Sequence, residues 1–175
     1  MRRSPPRPLA ATVTAEPRRR DSIILSVVAE LVLQSSAFDH GGPIPRRHSC
    51  EGEDLSPPLS WSGTPEDTRS LALVVDDPDA PAGTFTHWLG WGIEPGAGGL
   101  GDGEAAPVEG QNDFGTNGYR GPCPPPGHGP HRYSFRLYAL DSDADLPPGA
   151  AKRELERALE GHTLAAAELI GTYER

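Results

Sequence analysis

The 175-residue sequence predicts a mainly β fold, a sandwich with a small helical flank towards its C-terminus. Three observations lead there. Glycine (21) and proline (20) occur at nearly twice their average usage, which favours many turns and long ordered loops. Several short segments show the apolar alternation, or the continuous apolar run, of strands. One late segment has a clear helical period.

In chain order, residues 1–22 are arginine, proline and small residues without an apolar period, and read as disordered. Residues 1–27 are expected to be an extension, consistent with a misassigned start, upstream of one domain spanning 28–175. The apolar run 23–38 follows a basic flank, as in a secretory signal, but Glu30 interrupts it and the leader is long. A cytoplasmic protein is therefore expected, with export as the alternative. No stretch approaches the ~18 continuous apolar residues of a transmembrane helix.

Residues 30–35 alternate as a half-buried strand should, and 41–58 form a loop punctuated by glycine and proline. Residues 59–62 read as a short strand. The run SLALVV, 70–75, suits a central strand buried on both faces. In 85–93, alternation places Phe85, His87, Leu89, Trp91 and Ile93 on one face; in 132–140 it groups Tyr133, Phe135, Leu137 and Ala139. After Pro147, Pro148 and Gly149, helical spacing aligns Ala151, Leu155, Ala158, Leu159 and His162, with Gly161 as the stop. A shorter helix over 163–167 and a last strand over 168–173 are expected to follow.

The net charge of −9 is uneven, because six arginines and one glutamate fall within the first 20 residues. The acidic remainder argues against a nucleic-acid footprint and against broad adsorption to anionic membranes. A small anion would need a locally positive pocket. Cys50 and Cys123, 73 positions apart without CxxC or CxxH spacing, read as two free thiols of a reducing compartment, and neither supports a zinc site. Residues 96–101 match GxGxxG by letter, yet glycine and proline follow instead of the helix that a pyrophosphate requires; this is a surface loop.

Two stretches carry the functional reading. VVDDPDAPAGTFTHW, 74–88, ends a buried strand in Asp76, Asp77 and Asp79, with Pro78 and Pro81 setting the exit of the chain. Such acids can equally be a solvated turn. His87 lies on a strand face beneath a proline-rich loop, either as a satisfied core histidine or as a site residue. In GYRGPCPPPGHGPHRYSF, 118–135, prolines stiffen a loop that cannot pair as a strand, and glycines permit close approach. His131 and Tyr133 then open a strand. A preformed slot or a merely structural loop both fit these residues.

Taken together, LVVDDPDAP (73–81), the His87 strand and GPCPPPGHGPHRYSFRLYALD (121–141) resemble the phosphatidylethanolamine-binding protein (PEBP) family, in its bacterial YbhB/YbcL or Raf-kinase-inhibitor-like branch. GGPIPRRHSCEGEDLSPPLSWSG (41–63) and AELIGTYER (167–175) agree. The resemblance implies a sandwich of two antiparallel sheets with a small helical flank. It also implies a pocket for phosphate, a phosphoethanolamine-like compound or another small anion, lined by Asp77, Asp79, His87, Pro125, His131 and Tyr133, with Pro81 and Gly121 shaping the rim. The loop between Pro81 and His87 is short, and the aromatic residue that eukaryotic members place there is expected to be missing. A non-catalytic binding module follows, without cofactor or metal, and with a protein partner or a homodimer as further expectations. A protease or kinase inhibitor acting through its rim loops is the alternative. A His/Asp or metal-dependent hydrolase is less favoured, because HExxH and GxSxG are lacking.

Overall fold

A computed structural model of the chain describes residues 30–175. The expected extension 1–27 and the domain start at residue 28 lie outside them. In chain order the elements are β1 (Val32–Gln34), β2 (Leu59–Ser62), β3 (Ser70–Asp77), β4 (Phe85–Ile93), β5 (Gly99–Leu100), β6 (Val108–Glu109), β7 (His131–Leu140), α1 (Lys152–Leu159) and β8 (Thr163–Tyr173). They form two antiparallel sheets, one of order β1–β2–β5 and one of order β6–β4–β3–β7–β8.

The apolar pattern explains the layering. Leu71, Leu73 and Val75 of β3 join Tyr133, Phe135 and Leu137 of β7, and meet Leu33, Leu59 and Trp61 of the small sheet. Ala72 and Val74 point the other way, against Leu155 and Leu159 of α1. Every residue of β3 is therefore buried, as its unbroken apolar run requires. The helix begins where the Glu154 carboxylate accepts the Ala151 N–H at 2.8 Å, and ends before Gly161, whose φ of +78° only glycine adopts readily.

Three expectations fail here, each for a physical reason. The face assigned to Phe85, His87, Leu89, Trp91 and Ile93 is split: Leu89 and Trp91 pack under α1, whereas Trp88 and Ile93 enter the sandwich core. Two irregularities in the β3–β4 register cause this. Val75 faces Trp88 and Asp76 faces Thr86, so His87 is the extra residue of a bulge; farther on, Leu71 faces Ile93 and Leu73 faces Gly90, with Gly92 at φ +68°. The short helix over 163–167 does not form. β8 runs unbroken from Thr163, paired with β7 along its length, so tertiary pairing overrides the helix propensity of its alanines. Finally, Cys50 and Cys123 are joined in a disulfide, with Cα atoms 5.4 Å apart. Sequence separation is no guide to distance where two long loops run side by side: Cys50 N–H donates to the Pro122 carbonyl at 3.1 Å, and the Tyr119 hydroxyl to that of His48 at 2.7 Å.

No helix follows the GxGxxG stretch, as expected, but it is a surface loop only in part: after a single 3-10 turn, Gly99 and Leu100 pair with β2 as β5, and Leu100 enters the core. Among the described residues, no helix is long and apolar enough to cross a membrane.

Candidate functional site

At the end of the large sheet where β3 stops and β7 starts, a cavity of about 240 Å³ opens beneath the proline-rich loop. It is lined by Asp77, Pro81, His87, Pro125, His131 and Tyr133, six of the eight residues expected from sequence, together with Ala80, Phe85, Phe114, Cys123 and Pro124. Its size is below the usual range for drug-sized ligands.

Asp77 is the last residue of β3. One carboxylate oxygen accepts the Asp79 N–H at 2.8 Å, closing a turn around Pro78, and the other accepts from Nδ1 of His131 at 2.7 Å. That contact assigns the proton to Nδ1 and leaves Nε2 as the remaining donor or acceptor of His131, a role that a carboxylate commonly plays beside histidine. Both side chains are buried.

His87, the bulged residue of β4, donates Nδ1–H to the Arg120 carbonyl at 2.7 Å, so its Nε2 is the nitrogen left for the cavity. Burial holds the pKa of this imidazole below its ordinary value, against the opposing pull of the Arg120 carbonyl and Asp77. His87 is therefore neutral, with a lone pair on Nε2.

Tyr133, on β7 two residues after His131, is 1% exposed, and its hydroxyl has no hydrogen-bond partner among the described residues. It lies near Asp77 and the Cys123 main chain without completing a bond to either. Burial, reinforced by the Asp77 charge, raises its pKa far above the phenol value, so the group remains an O–H donor. A buried donor without an acceptor costs about 1–3 kcal/mol and calls for an explanation.

The remaining wall is aromatic. Phe85, Phe114 and His87 meet edge to face with ring centroids 4.8–5.3 Å apart, and His87 also meets Tyr133 at 5.2 Å. Phe85 and Phe114 thus give the cavity an aromatic side. Phe85 comes from the start of β4, and Phe114 from a loop that buried Asn112 folds by bonding Thr116 and the Gly118 carbonyl. The guanidinium of Arg120 lies 5.5 Å from the centroid of the Phe114 ring while pairing with Asp54 at 2.8 Å.

Asp79 and Gly121 do not line the cavity. Asp79 turns outward into a two-point pair with Arg132 at 2.8 and 2.9 Å, and that guanidinium holds its carboxyl down at about 2. Gly121 stands behind the wall, donating its N–H to Asp54 at 2.6 Å; a Cβ there would come within 2.0 Å of the His48 carbonyl oxygen. Sequence reasoning missed Phe114, which sits in a glycine-rich segment without periodicity, and His128, whose Nδ1 lies 2.7 Å from Nε2 of His131. It also missed Arg175, whose Nε donates to the Pro124 carbonyl at 2.7 Å and braces the loop.

A larger open groove of about 500 Å³ runs along β1, but Asp39 and His40 are exposed there and the Ser35 hydroxyl is spent on the Pro58 carbonyl. Among the described residues, no three His, Cys, Asp or Glu side chains converge as metal ligands would.

The family model described as phosphatidylethanolamine-binding protein matches residues 34–174. A UPF0098 protein of Methanothermobacter thermautotrophicus is 52% identical over 153 residues, which cover 82% of this chain and 98% of the relative. A solved PEBP homolog from Chlamydia trachomatis superposes with a TM-score of 0.80 at 42% identity, covering 84% of this chain and 99% of that one. YbcL of E. coli, described as a member of the mammalian PEBP family, superposes with a TM-score of 0.79 at 32% identity, with coverage of 84% and 99%. On sequence and fold together, the chain belongs to the phosphatidylethanolamine-binding protein family.

Proposed function

We propose that this chain is a non-catalytic binding protein whose cavity holds a small phosphate-type anion. The observation that carries the reading is the buried, unpartnered Tyr133 hydroxyl beside the Nε2 lone pair of neutral His87. One is a donor and the other an acceptor. Hydrogen phosphate and its monoesters offer both an acceptor oxygen and a P–OH donor, so they complement the pair. His131, oriented by Asp77, adds a third contact when its Nε2 is protonated. A short substituent on the phosphate would rest against Phe85 and Phe114, with an ammonium group favoured by the aromatic faces. Binding retains a proton that a free dianion lacks, so affinity rises as pH falls.

The Cys50–Cys123 disulfide supports an oxidising compartment over the reducing cytoplasm. The test is an NMR titration of the histidine ring signals with inorganic phosphate and with O-phosphoethanolamine. Saturable shifts at His87 and His131, with His40, His48 and His162 unmoved, are expected. Tighter binding of the amine would assign the site to headgroups, and equal binding to the phosphate moiety alone. Shifts confined to the exposed histidines, or none, would sink the reading.

A further inference from the structure

His131 is engaged at both ring nitrogens: Nδ1 by Asp77 and Nε2 by Nδ1 of His128, each at 2.7 Å. His128 is exposed, and among the described residues the contact with His131 is the one hydrogen bond its ring makes. The backbone that presents it is unusual. Gly127 and Gly129 flank it with φ of +74° and +83°, and nothing lies within 4 Å of where their Cβ atoms would stand. Glycine is needed at both positions for conformation, not for crowding. On either side the chain is stiffened by Pro124–Pro126 and by Pro130. The Gly127 N–H is tied to the Arg175 main-chain oxygen at 3.0 Å and the His128 N–H to the Pro125 carbonyl at 3.2 Å. A firmly held loop thus carries one free-standing imidazole onto the histidine of the cavity.

We infer that His128 is an internal competitor for the anion, occupying the nitrogen of His131 that a bound anion needs and leaving when the anion enters. The inference rests on the anion reading above. With Nδ1–H given to Asp77, His131 can offer an anion only Nε2, and only when that nitrogen carries a proton. While the histidine pair is neutral, His128 donates to the Nε2 lone pair. With one added proton, His131 donates from Nε2 and His128 accepts. A second proton makes both nitrogens donors and the bond is lost. Anion and His128 therefore compete for a single N–H. The charged and titratable groups around the pair are Asp77 behind His131, the Asp79–Arg132 pair beside it, His87 across the cavity and Arg175 against the loop.

Inorganic phosphate is the probe, because it carries the P–OH that His87 Nε2 can accept and its own titration acts on both proteins alike. Its affinity is measured by calorimetry for the wild-type chain and His128→Ala at pH 6.5. The variant should bind about three- to tenfold more tightly, the effect of deleting one competing hydrogen bond. Weaker binding by the variant would make His128 a direct anion ligand and overturn the inference; equal affinity would overturn it too. In the ligand-free proteins, the ¹⁵N shift of His131 Nε2 should move on substitution, and an unchanged shift would count against the contact itself. Absence of saturable binding to either protein would instead overturn the anion site, and the competitor with it.

Discussion

The two faces of β3 treat adjacent carboxylates differently. Asp76 faces α1, 1% exposed, and is fully answered: it accepts from Thr86 Oγ1 at 3.0 Å, Lys152 Nζ at 2.8 Å and the Arg136 guanidinium. Two cations surround one anion, and the cluster ties the first residue of α1 to the sheet. Asp77 faces the cavity, equally buried, and holds one histidine by a single contact. Its neighbours are a phenol without a partner and an imidazole with an idle lone pair. The Asp76 carboxylate is answered three times, and Arg136 Nε is the buried atom of that cluster without a partner among the described residues. The cavity face holds its polar groups in place and leaves the Tyr133 hydroxyl and His87 Nε2 open, the arrangement on which the anion reading rests.

The largest expected effect falls on the first face. Asp76→Asn leaves Arg136 and Lys152 with reduced compensation. Both cations can turn partly to water, so the loss should be about 2–3 kcal/mol, below the usual cost of breaking a fully buried pair. Asp77→Asn should lose less, about 1–2 kcal/mol, because one contact to an orientable ring is weakened. Urea unfolding of both variants measures the order, and a reversed order would break the distinction between the faces.

A second effect belongs to the cavity face and is set by pH. Burial lowers the pKa of His87 in the folded chain, so as pH falls below about 6.5 the unfolded chain takes up a proton that the folded chain refuses. Stability from neutral His87 is complete above that pH and lost below it. The urea midpoint should therefore fall from pH 7.5 to pH 5.5, and His87→Gln should shrink the fall. An unchanged pH dependence in the variant would show that His87 is not held neutral.

The smallest effect concerns Asp79, outside both faces. Arg132 depresses its carboxyl to about 2, so its contribution to stability is present above about pH 4 and lost as pH drops towards 2. The pair is exposed and salt-screened, and Asp79→Asn should change the unfolding midpoint at pH 7 very little. A large loss there would mean that the outer pair, not the inner one, anchors the loop.

What was legible follows the physics of each segment. The long strands and α1 announce themselves because one periodic face must find a core. In β4 the pattern misled, since the bulges at His87 and Gly92 exchange its faces and no residue type marks a bulge of this kind unambiguously. The alanines of β8 favour a helix locally and obey β7 instead. Motif resemblance singles out Asp77, His87, His131 and Tyr133, and the fold gathers all four around the cavity. The opposite fates of Asp77 and Asp79 depend on the direction of the turn at Pro78, which residue types alone do not specify. Phe114 and His128 come from aperiodic loops, where sequence lacks a signal for direction.

The most direct measurement of the central claim is phosphate affinity of Tyr133→Phe beside Arg132→Gln, both followed by NMR titration at pH 6.5. If the unpartnered hydroxyl is the anchor, Tyr133→Phe should lose about tenfold, one hydrogen bond to a charged group, while Arg132→Gln binds as the wild type does. Full affinity in Tyr133→Phe with loss in Arg132→Gln would place the anion on the outer surface and contradict the account.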